Sequence, residues 1–244
     1  MKNVILTIKE NIKVGKDIYL MTLVGDTSEI KNTGEFINIT VPNYYLRRPI
    51  SVCDFTDKSV DILYKVLGRG TNDLKDFKEG QQLDCLLGLG NGFDLSKSKK
   101  PLLVGGGIGI APLLAIAKAF CKLGIKPTLV YGARSKDDIV ITEKLEKYSD
   151  LIICTDDGSL GFKGNVINCI KSSNIDFDYY YACGPLKMLE FLSKEFSNGS
   201  LSLEARMGCG FGACMGCSIK TTNGSKRVCK EGPVFDANEV IFDE

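Results

Sequence analysis

Four cysteines in one short stretch near the C-terminus, Cys209, Cys214, Cys217 and Cys229, run as C-x4-C-x2-C-x11-C. A loop tied to a metal at that many points has little freedom in how it folds. The opening C-x4-C-x2-C, with a fourth Cys further on, is the plant-type ligand spacing for a [2Fe–2S] cluster. Gly210-Phe211-Gly212-Ala213 fills the first interval and Met215-Gly216 the second. Glycine there lets the backbone wrap closely and turn N–H groups toward the sulfurs. Structural zinc on four cysteines is the competing reading, but it usually takes two C-x2-C pairs and here there is one. Disulfides are a third reading, unsuited to the reducing compartment inferred below. The residues from Leu203 to Glu244 are otherwise Gly-rich with little periodicity. Something other than a hydrophobic core is expected to hold them.

Composition narrows the chemistry. The 244 residues carry 31 Lys+Arg against 30 Asp+Glu, and no His. The even charge balance argues against a nucleic-acid binder or a disordered tail. Without His there is no Ser-His-Asp or Cys-His nucleophile, no imidazole proton relay and no His-ligated metal. The N-terminus alternates apolar and polar residues like a strand and lacks a signal-peptide core, which implies reduced thiols and a cytoplasmic protein. The six other cysteines are scattered, and most are expected to be small buried hydrophobes. Pro101–Phe120 is long and apolar enough to suggest a membrane span. It holds four Gly and two Pro, which speaks against one.

Three stretches differ in rhythm. Residues 1–97 contain short β-branched or alternating runs, Val4–Lys9, Ile18–Val24, Phe36–Val41, Ile50–Asp54, Val60–Val66 and Leu83–Leu87, which predict an antiparallel barrel. Ser96–Lys100 reads as a linker. Residues 98–202 alternate strand and helix, predicting a parallel sheet with helices on its faces. Helices are expected at Ala111–Cys121, Ile139–Lys147, Asn165–Lys171 and Leu186–Phe196, and strands at Leu102–Val104, Thr128–Tyr131, Leu151–Thr155 and Tyr179–Cys183. Residues 203–244 form the cluster segment. The fold class is therefore mixed: a β-barrel, a central α/β domain and a small iron–sulfur segment.

Gly105-Gly106-Gly107-Ile108-Gly109-Ile110-Ala111-Pro112 follows a strand and opens a helix. Such a turn lets a pyrophosphate approach the backbone at the positive end of a helix. It is not the full dinucleotide fingerprint, since Pro112 stands where a third Gly belongs and no acidic residue follows about 20 residues on. A mere tight turn is the alternative.

Taken in order along the whole chain, these pieces resemble the ferredoxin–NADP reductase superfamily. More narrowly they resemble the electron-transfer subunits of NAD-dependent (type B) dihydroorotate dehydrogenases. Leu46-Arg47-Arg48-Pro49-Ile50-Ser51 is similar to the family's flavin motif R-x-Y-S/T, with Ile50 in place of the usual Tyr. The resemblance implies that Arg48 holds the FAD pyrophosphate and that Ser51 bonds near the reactive edge of the flavin. It further implies that Leu63-Tyr64-Lys65 line the flavin and ribitol, and that Gly70-Thr71 donate to the phosphates. Gly106, Gly107, Gly109 and Pro112 match the pyridine-nucleotide loop, and Cys183-Gly184-Pro185 the C-G-P turn beside the site of hydride transfer. Arg134 and Asp156 would border the nucleotide. On residues alone, Arg47-Arg48 reads equally as a solvated strand end, Gly68–Thr71 as a plain turn, and Cys183 as a buried thiol.

The implied cofactors are FAD, a [2Fe–2S] cluster and NAD. The implied role is to carry electrons between NAD and a partner that oxidises dihydroorotate, an FMN-bearing subunit in a heterotetramer of two of each chain, with no nucleic acid and no membrane span. The same motifs would serve the small subunit of an NADH-dependent ferredoxin:NADP reductase or of a sulfhydrogenase. A zinc-binding nucleotide module is the non-enzyme alternative.

Overall fold

The computed structural model describes residues 1–242, so the last two residues of the 203–244 segment lie outside the described residues. In the first part, β1 (Lys2–Gly15), β2 (Ile18–Val24), β3 (Phe36–Ile39), β4 (Arg48–Phe55) and β5 (Ser59–Lys65) are followed by a short helix, α1 (Arg69–Leu74), and by β6 (Gln82–Leu89). These strands close into an antiparallel barrel in the order β1-β2-β5-β4-β3-β6. Alternation drives the closure. Leu6 and Ile8, Ile37 and Ile39, and Leu83, Cys85 and Leu87 all point into one buried core.

From residue 101 the chain runs β7 (Pro101–Gly106), α2 (Ala111–Lys122), β8 (Thr128–Ala133), α3 (Thr142–Glu146), β9 (Asp150–Thr155), β10 (Phe162–Lys163), α4 (Val166–Ser172), β11 (Tyr179–Cys183), α5 (Leu186–Glu195) and β12 (Gly199–Ser202). The tail adds a hairpin, β13 (Ser218–Thr221) and β14 (Gly224–Arg227), and a last strand, β15 (Val234–Asp236). The sheet order is β10-β9-β8-β7-β11-β12-β15. All neighbours are parallel except β12 and β15. Central strands of such a sheet are covered on both faces, and every residue of β7 and β11 is buried. The chain leaves β7 toward β8 and returns on its other side as β11. The C-terminal ends of these two strands therefore flank the crevice where open α/β sheets bind ligands.

The expected barrel strands and most α/β elements are present, with four differences. The helix expected over Ile139–Lys147 shrinks to Thr142–Glu146 because Ile141 adopts a left-handed φ of 53°. Tyr131 explains the loss of its first turn: its hydroxyl donates to Asp138 O and accepts from Val140 N, drawing that stretch onto β8. Gly68–Thr71, open to a plain-turn reading, leads into α1, where the Thr71 hydroxyl accepts from Leu67 and Gly68 N–H and donates to Gly68 O. β10 and β12 to β15 were not foreseen. Finally, the expectation that the tail lacks a core is overturned. Leu203, Cys217, Val228, Cys229, Phe235 and Ala237 are buried in one cluster with Leu102, Val104 and Tyr180 of the sheet.

The apolar stretch Pro101–Phe120 is accounted for by β7, a 3-10 turn at Gly107–Ile110 and α2. Among the described residues no helix is long and apolar enough to cross a membrane. Cys53, Cys85, Cys154, Cys169 and Cys183 are buried, and Cys121 is half-buried.

Candidate functional site

Two clefts meet where the barrel faces the C-terminal ends of the parallel strands. The smaller, about 240 Å³, is walled on the barrel side by Arg48, Pro49, Ile50, Ser51, Leu63, Tyr64, Lys65 and Thr71. Gly109, Pro112 and Cys183 close it from the α/β side. The larger is about 960 Å³. Gly106, Gly107, Gly109, Arg134, Asp156, Gly184 and Pro185 lie along it. Lys65, Leu67, Ile108, Gly109 and Glu204 belong to both walls, so the two clefts are neighbours.

The structure separates the two adjacent arginines. Arg47 turns away from the cleft: its guanidinium pairs with Asp84 at 3.0 Å and donates to Asn3 Oδ1 and Asn38 O. Arg48 lies over the Tyr44 ring at 4.7 Å and donates to Leu46 O. Among the described residues no carboxylate pairs with it. Beneath it lies Gly70, where a Cβ would fall 2.1 Å from Arg48 Nε. Gly70 therefore supports Arg48 and does not itself line the cleft. A cation with free donors at the mouth of a cleft suits a phosphate-bearing ligand.

Other side chains are less free than the motif alone implies. The Thr71 hydroxyl is engaged in its own turn, which leaves backbone N–H groups as the donors there. Tyr64 packs its ring on Tyr19, with centroids 5.7 Å apart, and its hydroxyl donates to Asn11 Oδ1. Lys65 donates to Asp138 across the two domains at 3.0 Å. The Ser51 hydroxyl, opposite Phe36 in the β3–β4 ladder, has no partner among the described residues and faces the cleft.

Cys183 ends β11 with 2% of its surface exposed. Burial, helped by the nearby Glu204 charge, pushes its thiol up to about 12, so it is a neutral thiol at physiological pH. Glu204 was not foreseen in the sequence. Its carboxyl opens onto both clefts, and the protein mass around it raises its pKa. No motif marks it; it follows β12, a strand the sequence did not reveal. Phe36, Leu203, Ala205, Met207 and Pro233 complete the smaller cleft and were likewise unforeseen.

Met207 leads within two residues to the cysteine cluster. Ala213 and Cys214 N–H donate to Cys209 Sγ at 3.2 and 3.4 Å, and Cys209 N–H to Cys214 Sγ at 3.4 Å. Cys229 N–H donates to Cys217 Sγ at 3.4 Å, the β13–β14 hairpin having carried Cys229 back beside Cys217. Arg227 braces the loop by donating to Gly212 O and pairing with Glu231. The thiols thus form two pairs, Cys209 with Cys214 and Cys217 with Cys229. Two irons that each need two thiolates match that division. Burial opposes ionisation of Cys209, but N–H groups of Phe211, Cys214 and Ala213 and the Cys214 thiol outweigh it and bring the pKa to about 6. Burial and the neighbouring Cys217 push Cys229 up to about 12. A loop that turns amides onto a sulfur suits a thiolate-bound cluster.

A barrel with a phosphate-competent arginine, a nucleotide crevice at a sheet switch point and a cysteine-lined tail define a pyridine-nucleotide oxidoreductase of modular build. The description "Oxidoreductase NAD-binding domain" matches residues 103–152, and "Iron-sulfur cluster binding domain of dihydroorotate dehydrogenase B" matches residues 204–241. The chain belongs to the family of dihydroorotate dehydrogenase B (NAD(+)) electron transfer subunits. The Streptococcus mutans member is 40% identical over 254 residues, covering 98% of each chain, and the Fusobacterium nucleatum member 39% identical, covering 96% of each. Among solved structures, an NADH-dependent reduced ferredoxin-NADP oxidoreductase superposes with a TM-score of 0.89 at 32% identity, covering 97% of this chain and 89% of that one. Phthalate dioxygenase reductase shares the fold, with a TM-score of 0.68 at 21% identity over 97% of this chain and 77% of that one.

Proposed function

We propose that this chain relays electrons between NAD and a catalytic partner subunit that oxidises dihydroorotate, with FAD in the smaller cleft, NAD in the larger and a [2Fe–2S] cluster on the four clustered cysteines. The observation that carries this reading is adjacency. The two clefts share the wall of Lys65, Ile108, Gly109 and Glu204, and the smaller is closed by the residues that run into Cys209. A bound flavin supplies both hydride exchange with a nicotinamide and single-electron exchange with a cluster.

The chain's own residues bind and orient. Arg48 and the first-turn N–H groups of α1 hold the FAD phosphates, and Ser51 bonds the ring edge. Pro49, Ile50, Leu63, Tyr64 and Lys65 shape the walls, with Ile50 contributing aliphatic packing where relatives of the superfamily carry Tyr. Gly106, Gly107 and Gly109 let the nucleotide pyrophosphate reach the backbone, while Gly184 and Pro185 form the facing turn. Arg134 and Asp156, at the ends of β8 and β9, border the nucleotide. Cys183, as a neutral thiol, packs beside the place where nicotinamide and flavin meet. With no His in the sequence, proton abstraction from the carbon substrate is assigned to the partner, an FMN-bearing chain in a heterotetramer of two of each subunit, working in the cytoplasm.

Purified full-length chain tests this. It should be yellow-brown, with FAD and about two irons and two labile sulfides per chain. It should reduce ferricyanide with NADH, fail to oxidise dihydroorotate alone, and couple dihydroorotate to NAD once the partner is added. One zinc and no visible absorbance would refute the cluster; dihydroorotate oxidation by the isolated chain would refute the division of labour. A second reading, as the small subunit of an NADH-dependent ferredoxin:NADP reductase, draws on the 0.89 TM-score. Coupling to a ferredoxin:NADP partner with none to dihydroorotate would favour it.

A further inference from the structure

Strand β3 sends one polar side chain into the boundary between the barrel and the cluster segment. Ile37 and Ile39 point into the barrel core, so alternation turns Phe36 and Asn38 outward. Phe36 lands on the wall of the smaller cleft. Asn38, 1% exposed, donates from Nδ2 to the carbonyl oxygen of Cys209 at 3.3 Å. Across the ladder from Asn38 stands Pro49, itself part of the cleft wall. Gly210 closes against the same amide: its φ is +77°, and a Cβ there would fall 2.2 Å from Asn38 Nδ2. Among the described residues, Asn38 Oδ1 is buried with no partner. An amide buried with one end unpaired is costly, and a Leu of similar volume would avoid that cost. Among the described residues, the one side-chain hydrogen bond Asn38 makes goes to the first of the four clustered cysteines.

We propose that Asn38 is a positioning residue for the iron–sulfur cluster, clamping the Cys209 peptide to the flavin barrel and thereby setting the cluster's reduction potential. This rests on the reading that the four cysteines hold the cluster. In a trans peptide the carbonyl and the following N–H point in opposite directions, so holding Cys209 O fixes the direction of Gly210 N–H. The path of the loop from there delivers the Ala213 and Cys214 N–H groups to Cys209 Sγ. Hydrogen bonds to cluster sulfurs tune the potential. They favour the reduced form, which carries more negative charge. Without the clamp these donors loosen, and the cluster becomes harder to reduce.

The test uses the full-length chain with its cofactors, as parent, Asn38→Leu and Asn38→Ser. Iron, labile sulfide and FAD are counted first; then the electron paramagnetic resonance spectrum of the reduced cluster and the midpoint potentials of cluster and flavin are measured. In the variants, cofactor contents should match the parent, the g values should shift, and the flavin potential should stay in place. The one-electron equilibrium of the cluster should move against reduction by about three- to tenfold, the upper limit being about 59 mV. Unchanged g values and cluster potential in loaded variants overturn the proposal. Loss of the cluster with FAD retained supports the clamp, whereas loss of both shows that Asn38 merely holds the barrel together and overturns it. A parent chain without iron and sulfide refutes the cluster reading itself, a separate failure.

Discussion

Gly109 lies against the carbonyl of Cys183: a Cβ on the glycine would fall 2.4 Å from that oxygen and 2.6 Å from Gly184 Cα. The turn after β7 and the turn after β11 therefore touch at backbone contact distance, directly across the crevice at the sheet's switch point. That closeness joins the two clefts, since Gly109 belongs to both. It also makes the glycine a sensitive probe of nucleotide binding.

In Gly109→Ala the new methyl group meets backbone atoms, which cannot rotate aside, so the two turns must part. Overpacking of this kind costs about 1–3 kcal/mol. NADH affinity should fall by roughly tenfold or more at about 1.4 kcal/mol per tenfold, while FAD content stays near one per chain. Titration of the loaded protein with NADH checks this; an unchanged Kd would show that the turns separate freely.

The two arginines should behave oppositely. Arg48→Ala removes the phosphate contact proposed for this residue, which as a charge-assisted bond is worth about 1.5–3 kcal/mol and should weaken FAD retention at least tenfold in dialysis against flavin-free buffer. Arg47→Ala instead breaks the pair with Asp84 on the outside of the cleft. It should keep its FAD and lose only a little thermal stability, as partly exposed pairs do. Equal flavin loss in the two variants would contradict the geometry.

Cys229→Ser removes one proposed cluster ligand, from the pair Cys229 forms with Cys217. Coupling of dihydroorotate to NAD in the complex should fall far more than NADH–ferricyanide turnover, because a small acceptor reaches the flavin directly. The comparison is made on protein that retains its FAD. Complete loss of ferricyanide reduction under that condition would place the cluster on the only exit route.

Glu35 provides a pH test of packing away from the clefts. Its carboxyl is 4% exposed, and Oε1 accepts from Lys31 N, Asn32 N and Asn32 Nδ2 while Oε2 is unpaired. Burial raises its pKa despite those donors. A carboxyl raised in the folded state carries no penalty at low pH and a growing one as pH rises through its folded value. Glu35→Gln, which keeps an acceptor for the loop amides, should gain stability relative to the parent between a pH below 4.5, the ordinary carboxyl value, and neutral pH. Urea unfolding at both pH values reads the difference; a gain independent of pH would exclude the ionisation penalty.

The sequence reveals elements whose signal is local and hides those made by return. Strand β6 alternates buried and less buried residues along its whole length, and the β7 turn announces itself by its glycines. Arg47 and Arg48 are chemically identical neighbours, and only the register of β4 against β3 assigns one to Asp84 and the other to the cleft. Glu204 has no motif because its role comes from two clefts meeting beside it. In the tail, Val228 and Phe235 show no period, since each is buried in one cluster with Leu102, Val104 and Tyr180 of the sheet. Asn38 stands in an ordinary alternating strand, and its partner lies 171 residues away.

The cluster segment leaves the sheet and returns to it at the same place. Leu203 N–H donates to Pro233 O at 2.9 Å, and β15 pairs with β12 immediately beside it. Asn91, just past the end of β6, fastens the returning strand through Val234 N and Val234 O. A chain excursion whose two ends are pinned together can change in length at little entropic cost to the scaffold. The cysteine segment, however, is moored to the sheet at both ends and along its middle. A different cysteine loop spliced between Leu203 and Pro233 would have to replace the buried packing of Cys217, Val228 and Cys229 on Tyr180 as well as meet the two ends.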